Sequence, residues 1–314
     1  MGFRHLNGSA GVKIDLHHHH FWKHYICIMM TSDIFYGNFE LEPILGDLIN
    51  SAPVQRLKNV HQGGATFLVS PNAGHSRYEH SIGVMLLVRT LGGSLKEQIA
   101  GLLHDVSHTA FSHVIDYVLK QKGEDYHEQI FEEVIAKSTI PSILSNYGFS
   151  TSVLEDPGHT LLDMPLPALC ADRIDYTIRD LYHFGLIDIV EIHNFLNELG
   201  VQGGKIGVKS EKAASWITGK YLQLNNEYFR KPEHIFANTR VSELIALGLD
   251  NGVIVLSDLW RDDPAVLSMI KSDPHLNVEL EKIKGLDGFK SFSDSGSGIV
   301  FKERTLEPML INAT

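Results

Sequence analysis

The sequence has few cysteines: Cys27 and Cys170 are the only two among 314 residues. A disulfide framework or a thiolate metal site needs more of them at characteristic spacings, so both are excluded and a reducing compartment is expected. No apolar run approaches the roughly 18 residues that a membrane span needs. The N-terminus also lacks the charged-then-apolar order of a signal peptide. We therefore expect a cytoplasmic protein with no membrane partner.

An excess of basic residues is also missing. Lys and Arg number 27 against 38 Asp and Glu, which gives a formal net charge of -11. Stable binding to nucleic acid normally needs a basic face or stripe, so we expect none here. A phosphorylated substrate would have to be met locally, by a metal ion and a few Arg, Lys and His side chains.

The N-terminal segment differs from the rest of the chain. Residues 1–29 show no clear hydrophobic period and include four consecutive histidines, His17 to His20. We interpret this part as a disordered leader or tag-like segment, with the natural start at Met29 or Met30. Residues 30–314 contain neither a repeat nor a low-complexity linker, so we predict one domain whose C-terminal extension is α+β.

Helical periodicity covers most of residues 30–314. It predicts helices over residues 42–51, 54–61, 75–91, 114–120, 126–135, 168–184, 211–229, 232–249 and 257–271. Strand-like runs occur at residues 65–69, 205–209 and 298–304, and the polar residues 291–297 favour a mobile loop. The pattern is typical of a mainly helical protein.

The central stretch, Gly101 to His113, reads GLLHDVSHTAFSH and brings three histidines and an aspartate within ten residues. Neighbours on a helix point about 100° apart, so His104 and Asp105 can share one ion only if other ligands arrive from elsewhere. A surface salt-bridged pair is the alternative. The apolar flanks favour a metal, because polar groups between core segments need partners that satisfy both imidazole and carboxylate.

Two further segments carry candidate functional groups. Arg77 and His80 lie three residues apart and share a helix face, although an ion pair between Arg77 and Glu79 is the simpler alternative. Asp116 and His127 could meet as a carboxylate that orients an imidazole, or form a structural hydrogen bond; the spacing favours neither.

The predicted helix over residues 168–184 has a polar face. Asp172, Tyr176 and Asp180 recur along it, together with Asp175 and Arg179, while apolar residues occupy the opposite side. A salt-bridged face towards solvent is the alternative to a site.

With these segments in order, the chain resembles the HD-domain phosphohydrolases, and more closely their dNTP triphosphohydrolase branch. The matching segments are residues 75–84, the His104-Asp105 pair with His108 and His113, and residues 172–176, within a resemblance that runs from about residue 35 to 230 and has a weaker echo at 301–308. The resemblance implies a mainly α HD-type helical fold with one or two small β-hairpins. It also implies a metal-dependent phosphohydrolase.

The resemblance assigns roles to individual residues. The implied metal ligands are His80, His104, Asp105 and Asp172. Two imidazoles with two carboxylates suit one Fe, Mn or Zn ion better than Mg²⁺, which is a further candidate on the nucleotide phosphates. The implied catalytic residues near the phosphates are His108, His113 and His127, with Asp116 backing one of them. The implied substrate contacts are Arg77 on a phosphate, Gln62, Tyr176, Asp180 and Tyr228 around the sugar, and Lys231 near the outer phosphates.

The implied reaction is hydrolysis of a dNTP at the α-phosphorus, giving a deoxynucleoside and triphosphate, by a homo-oligomer, a dimer or tetramer. The alternatives are hydrolysis of another nucleotide, such as a nucleoside monophosphate or ribonucleoside triphosphate, and a nucleotide-binding protein without turnover. Two positions depart from the branch. Gly63 replaces a larger apolar residue under the sugar, and Asn50 replaces an aspartate of the segment that senses a nucleotide effector.

Overall fold

The computed structural model describes residues 29–121, 123, 125–295 and 305–311. In that part of the chain, α-helices enclose three buried apolar clusters, and the strands form only two small sheets. The prediction of a mainly helical fold with small hairpins is confirmed. The predicted leader, except Met29, and the predicted strand over residues 298–304 lie outside the described residues.

The helices follow one another along the chain with short connections. They are α1 (Pro43–Ile49), α2 (Ala52–Arg56), α3 (Arg77–Thr90), α4 (Leu95–Leu103), α5 (Val114–Val118), α6 (Tyr126–Gln129), α7 (Phe131–Ala136), α8 (Ile140–Asn146), α9 (Ala171–His183), α10 (Ile189–Leu196), α11 (Glu211–Leu224), α12 (Pro232–Asp250), α13 (Asp263–Ser272), α14 (Pro274–Lys284) and α15 (Phe289–Ser295). Within the described residues, every helix is too short or too polar to cross a lipid bilayer.

The strands form one sheet near the start of the described residues and one that includes a hairpin between α10 and α11. Strand β1 (Met29–Asp33) pairs antiparallel with β2 (Gly37–Leu41). Strands β3 (Leu199–Gln202) and β4 (Lys205–Val208) form the hairpin expected around residues 205–209, and β5 (Met309–Leu310) adds to β4 in parallel. The turn of this hairpin is Gly203-Gly204, with φ of 61° and 75°, a conformation that favours glycine at both positions.

Helix α3 begins with a capping box. The Ser76 hydroxyl accepts from the backbone N–H of Glu79, and the Glu79 carboxylate accepts from the N–H of Ser76 at 2.8 Å. Two free N–H groups of the first turn are thereby satisfied. This use of Glu79 makes the alternative Arg77–Glu79 ion pair wrong. Arg77 is instead turned into the interior, with 3% of its surface exposed.

A buried carboxylate on α4 positions the start of α9. Glu97 accepts from the backbone N–H groups of Leu161 and Leu162 at 2.7 and 3.3 Å. The carbonyls of the same two residues accept from the N–H groups of Ala171 and Asp172. Two successive sets of hydrogen bonds therefore connect Asp172, a predicted metal ligand, to α4, the helix that ends just before His104 and Asp105.

The apolar run over residues 65–69 is not a strand, so that prediction is wrong. Gly64 adopts a left-handed φ of +70°, and the Asn238 side chain accepts from the N–H of Ala65 at 2.8 Å. These two features wind the segment Gly64–Leu68 into a 3-10 helix. A strand needs a neighbouring strand for its backbone groups, and helix α12 lies beside this run instead.

Other boundaries also shift. The predicted helix over residues 54–61 divides into α2 and a 3-10 turn at Leu57–Asn59, and the one over 211–229 ends in a π-helical turn at Asn225–Phe229. Helices α4, α8, α10 and α14 lie outside the predicted helix ranges. Most of the predicted mobile loop belongs to α15, because Phe289 and Phe292 pack edge-on against Phe236.

Candidate functional site

The central His-Asp pair lies in a turn rather than on a helix. Helix α4 ends at Leu103, with His104 as its C-terminal cap, so His104 and His108 do not share a helix face. The chain turns back at Phe111 and Ser112, which have positive φ of 59° and 53°. The turn is held by the buried carboxylate of Asp263, which accepts from the N–H of Phe111 at 2.7 Å and is 2.7 Å from His61 Nδ1.

Asp263 was not singled out in the sequence. Its position next to Pro264 is typical of a helix N-terminus, and nothing local indicates that it reaches residues 61 and 111. The role is visible only in the tertiary structure, where the Asp263 carboxylate is buried and accepts several hydrogen bonds.

The four predicted metal ligands converge from three elements: α3, the turn after α4, and the first turn of α9. His80 Nε2 lies 3.0 Å from Asp172 Oδ1 and 3.3 Å from His104 Nε2. His104 Nε2 lies 3.5 Å from Asp105 Oδ1 and 3.5 Å from Asp172 Oδ1. Two imidazole nitrogens and two carboxylates thus face one point.

The hydrogen bonds behind these imidazoles fit a metal ion. His80 Nδ1 lies 2.8 Å from Asp175 Oδ1, and His104 Nδ1 lies 2.8 Å from the Gly101 carbonyl. Since both partners are acceptors, each Nδ1 carries a proton, and Nε2 is the atom that faces the other ligands. Two Nε2 atoms 3.3 Å apart, beside two carboxylates, need positive charge between them, either a proton or a metal ion. The residues could therefore hold Fe, Mn or Zn.

Charge at the cluster supports the same conclusion. Burial lowers the pKa of His80, but hydrogen bonds to Asp172 and Asp175 outweigh it and raise this pKa to about 10. Burial likewise raises the pKa of Asp172, while His104 and His80 hold it below its usual range. The site strongly favours added positive charge.

A buried ion network supports His80 from behind. The Asp175 carboxylate, which is fully buried, accepts from Arg179 at 2.8 and 2.9 Å and from the Tyr36 hydroxyl at 2.8 Å. Arg179 also donates to Asp33 at 2.9 Å. Burial raises the pKa of Asp175, but Arg179 and His80 outweigh it and lower this pKa to about 2, so the carboxylate stays charged.

The grouping of Asp175 and Arg179 with the polar face of α9 is therefore wrong. Both lie on the side towards α3, where Gly83 leaves room for them. A Cβ at Gly83 would lie 2.1 Å from Asp175 Oδ2 and 2.2 Å from Arg179 Nη2. A glycine inside an otherwise regular apolar helix was the one sequence signal for this close approach.

Arg77 joins the metal-ligand cluster to the turn. Its Nη1 donates to Asp105 Oδ2 at 2.6 Å, and its Nε donates to the Ser112 hydroxyl at 2.7 Å. Burial raises the pKa of Asp105, but the charges of Arg77, His104 and His108 hold it well below its usual range. Asp105 is therefore an ionised carboxylate in a buried position.

A second histidine cluster borders the first. The rings of His108 and His127 stack at 3.8 Å, and His113 meets both edge-on at 4.8 and 5.2 Å. Burial holds the pKa of His108 well below its usual range and lowers that of His127 to about 3, so both rings are neutral. Their nitrogens and those of His113 lie within 4.8 Å of one another.

Asp116 backs a histidine of this cluster, but it is His113 rather than His127. His113 Nδ1 donates to Asp116 Oδ2 at 3.3 Å, and the backbone N–H of Tyr126 donates to Oδ1 at 3.1 Å. The short helix α5 brings His113 and Asp116 together at three residues' separation. His127 lies in the next helix, α6, and donates no hydrogen bond to Asp116.

Both clusters open into one cavity of about 810 Å³, a volume within the usual range for small-molecule sites. Five of the six predicted substrate contacts line it: Gln62, Arg77, Tyr176, Asp180 and Tyr228. Lys231 does not. Its ammonium lies over the Phe184 ring at 4.8 Å, and Arg230 lines the cavity in its place.

Two buried histidines in this region were missed in the sequence. His75 Nε2 lies 2.5 Å from Asp180 Oδ1 and holds that carboxylate from behind. His234 lines the cavity; its Nδ1 donates to the Tyr228 carbonyl at 2.9 Å, and its Nε2 accepts from the Ser70 hydroxyl at 2.9 Å. The neutral ring is fully paired.

His234 should make the folding stability depend on pH. Burial, helped by Lys231, lowers its pKa to about 4, whereas an unfolded histidine titrates near ~6.5. Between these pH values the unfolded chain binds a proton that the folded protein excludes. Its contribution is therefore complete above pH ~6.5 and is lost as the pH falls towards ~4, by up to about 3 kcal/mol.

Urea unfolding at pH 7, 6 and 5 measures this effect. The variant His234→Gln should lose less stability than the wild type over that interval. His193→Gln, at an exposed histidine of α10, is the matched control and should retain the wild-type slope. An unchanged slope in His234→Gln would mean that other groups cause the acid sensitivity.

Comparison with known proteins agrees with this geometry. The family model described as the HD domain matches residues 77–180, which run from Arg77 to Asp180. The uncharacterized protein YdhJ of Bacillus subtilis is 46% identical over 252 residues, covering 80% of this chain and 78% of its own. The metal-dependent phosphohydrolase cns2 of Cordyceps militaris is 31% identical over 267 residues, covering 82% and 77%.

Two more distant similarities extend the comparison. The deoxynucleoside triphosphate triphosphohydrolase SAMHD1 of Homo sapiens is 32% identical over 225 residues, covering 55% of this chain and 36% of its own. A crystal structure of a hypothetical protein from Aquifex aeolicus superposes with a TM-score of 0.67 at 24% identity, covering 85% of this chain and 80% of its own. The latter likeness concerns the fold.

Proposed function

Since this chain belongs to the HD-domain family of metal-dependent phosphohydrolases, we propose that it hydrolyses nucleotides, and specifically a dNTP to a deoxynucleoside and triphosphate. The observation that carries the proposal is the convergence of His80, His104, Asp105 and Asp172 beside Arg77 in a large cavity. The similarity to a dNTP triphosphohydrolase over 55% of this chain supports the substrate.

The proposed site meets the charge of a phosphate with prearranged groups. A bound divalent cation would supply Lewis-acid polarisation of a phosphoryl oxygen and activation of water. Arg77 lies at this end of the cavity, held by Asp105 and Ser112, and stabilises the negative charge that grows on the phosphate. Because two hydrogen bonds already fix the guanidinium, little reorganisation is needed during the reaction.

The histidine cluster supplies proton transfer in this proposal. His113 donates its Nδ1 proton to Asp116, so Nε2 of the neutral ring has a free lone pair. Nε2 would take a proton from the attacking water and pass it to the leaving oxygen, which restores the neutral ring. The neutral ring of His127 offers one N–H to a phosphate oxygen without adding a charge, whereas the neutral ring of His108 donates its N–H to Asp105 at 3.2 Å.

Replacing His113 should separate proton transfer from metal binding. We expect His113→Ala to lower kcat by about 100-fold, the usual loss for a general acid or base, while the metal content per chain stays that of the wild type. Steady-state rates and elemental analysis of the same preparations measure both. His193→Ala, on the exposed side of α10, is the control. Loss of metal in His113→Ala would assign this residue to the metal site.

A substrate panel with product identification tests the whole proposal. Metal-analysed protein is incubated with dNTPs, ribonucleoside triphosphates and nucleoside monophosphates, and the products are separated by anion exchange. Triphosphate from dNTPs is the expected product. Pyrophosphate or phosphate instead would support the alternative phosphohydrolase reactions. Release of none of the three from any nucleotide would exclude the enzymatic function.

A further inference from the structure

The start of α13 brings a buried carboxylate to the back of the turn that carries Phe111. Asp263, the first residue of α13, is fully buried and lies outside residues 77–180, which the HD-domain model matches. Its Oδ2 accepts from the backbone N–H of His61 at 3.0 Å and lies 2.7 Å from His61 Nδ1. Its Oδ1 accepts from the N–H of Phe111 at 2.7 Å. The carboxylate therefore joins two segments that are distant in sequence.

Both of these segments hold Ser112. This residue follows Phe111 directly, and its hydroxyl donates to the His61 carbonyl at 2.6 Å. The same hydroxyl accepts from Arg77 Nε at 2.7 Å. Asp263 thus fixes the hydroxyl from two sides, and the hydroxyl fixes the guanidinium.

The backbone of Arg77 depends on the same contacts. Its N–H donates to the Val60 carbonyl at 2.9 Å, beside an antiparallel bridge that pairs His61 with Ser76. Asp263 holds His61 through both its backbone and its ring. A shift of His61 would therefore disturb the main chain and the side chain of Arg77 together.

The turn needs such support because its backbone is strained. Phe111 and Ser112 have positive φ of 59° and 53°. These left-handed angles are unfavourable for residues with a side chain, so they persist only where surrounding contacts determine them. The Asp263 carboxylate supplies one contact at Phe111 and, through His61, a second at Ser112. Loss of these contacts would let the turn relax and draw the Ser112 hydroxyl away from Arg77.

Contacts that do not involve this carboxylate keep the surrounding chain in place. The N–H of Ala110 donates to the Leu259 carbonyl at 2.8 Å. The Arg56 guanidinium donates to the carbonyls of His108 and Arg261 at 2.6 and 2.8 Å. A conservative change of the carboxylate should therefore leave the protein folded and alter the turn locally.

We propose that Asp263 is a positioning residue for the reaction, acting through His61 and Ser112 to hold Arg77 against the substrate phosphate. The inference rests on the proposed function, because it requires a phosphate whose charge Arg77 meets. Accurate placement matters, since a displacement of about 1 Å can lower a rate by about 100-fold. Helix α13 is thereby part of the catalytic apparatus, although Asp263 itself does not touch the substrate.

Asp263→Asn tests the proposal on the nucleotide that the substrate panel identifies. The amide has one acceptor oxygen in place of two, and its NH2 group would face an N–H donor. We expect kcat to fall by about 100-fold, with KM within about threefold of the wild type, because Arg77 acts mainly on the transition state. The metal content per chain should not change.

Asp262→Ala is the matched control on the same helix. Asp262 is the N-cap of α13 and accepts from the N–H of Ala265 at 3.1 Å, so its loss weakens the helix start without touching the turn. This variant should keep the wild-type kcat. A wild-type kcat in Asp263→Asn, or an equal fall in Asp262→Ala, would overturn the inference and leave the proposed function intact. Hydrolysis of no nucleotide by the wild type would instead overturn the proposed function.

A double variant shows whether Asp263 acts through Arg77. Residues that act as one unit give non-additive losses, so Asp263→Asn should lower kcat by less than about threefold in an Arg77→Ala background. Ser112→Ala tests the same link without changing the charge at α13. It should lower kcat about tenfold or more, the value of one hydrogen bond to a charged group. A full 100-fold further loss in the Arg77→Ala background, or a wild-type kcat in Ser112→Ala, would show that Asp263 does not act by this route.

Discussion

Asp105→Asn should abolish both metal binding and hydrolysis. The amide keeps the volume of the carboxylate but loses the charge that faces His80 and His104, with Nε2 atoms 3.7 and 3.5 Å away. Because the cation supplies several kcal/mol of transition-state stabilisation, we expect kcat/KM to fall by about 1,000-fold or more. Elemental analysis after dialysis should show a small fraction of one ion per chain.

Asp163→Asn is the control for this experiment. Asp163 is an exposed carboxylate that forms, with Cys170 and Asp172, another group of possible ligands within 4.8 Å. The two groups share Asp172, so only their other members distinguish them. Asp163→Asn should keep the metal. If Asp163→Asn loses the ion and Asp105→Asn retains it, the metal lies in the other group and our assignment is wrong.

Arg179→Met should destabilise the folded protein by about 3–5 kcal/mol, the usual cost of leaving buried charges unpaired. The methionine fills much of the volume but leaves Asp175 and Asp33, both nearly inaccessible, without their shared cation. Arg179 also lies over the Phe35 ring at 4.7 Å, so an attractive contact is lost as well. Urea unfolding at pH 7 measures the difference.

Lys282→Met is the control, because it removes a cation from an exposed ion pair. Its ion pair with Glu279 spans 2.7 Å, but the two side chains are 50% and 37% exposed. Water screens such pairs, so the change in unfolding free energy should stay within about 0.5 kcal/mol. Equal losses in Lys282→Met and Arg179→Met would show that burial of the network contributes nothing to its energy.

Much of the helical framework was determined by local sequence. The apolar spacing predicts a helix over residues 75–91, within two residues of the start of α3 and one residue of its end, and the capping box of Ser76 and Glu79 defines that start. The β3–β4 hairpin follows from Gly203-Gly204, since few other residues adopt those angles. The strand prediction for residues 65–69 was wrong because a short apolar run does not distinguish helix from strand. The outcome there depends on a contact with Asn238, which is distant in sequence.

For the candidate site, spacing alone left the surface alternatives open, and the resemblance to the HD-domain phosphohydrolases, carried by the sequence motifs, selected His80, His104, Asp105 and Asp172 as a set. Their convergence required the fold, because four residues from three elements meet only when α3, α4 and α9 pack. The spacing alone left open whether a helix continues through His104; the structure ends α4 at Leu103, and Asp263 holds the turn at Phe111.

Only the tertiary structure decided which charges are buried and which polar atoms lack partners. Asp175 and Arg179 read as part of a polar helix face, yet they form the network behind His80, since burial depends on what packs against a residue. Likewise, Gly63 in the sequence is one small residue in a turn. Only the fold shows that the hydroxyls of Tyr228 and Thr66 pack directly against it, at 2.4 and 2.5 Å from the position that a Cβ atom would take.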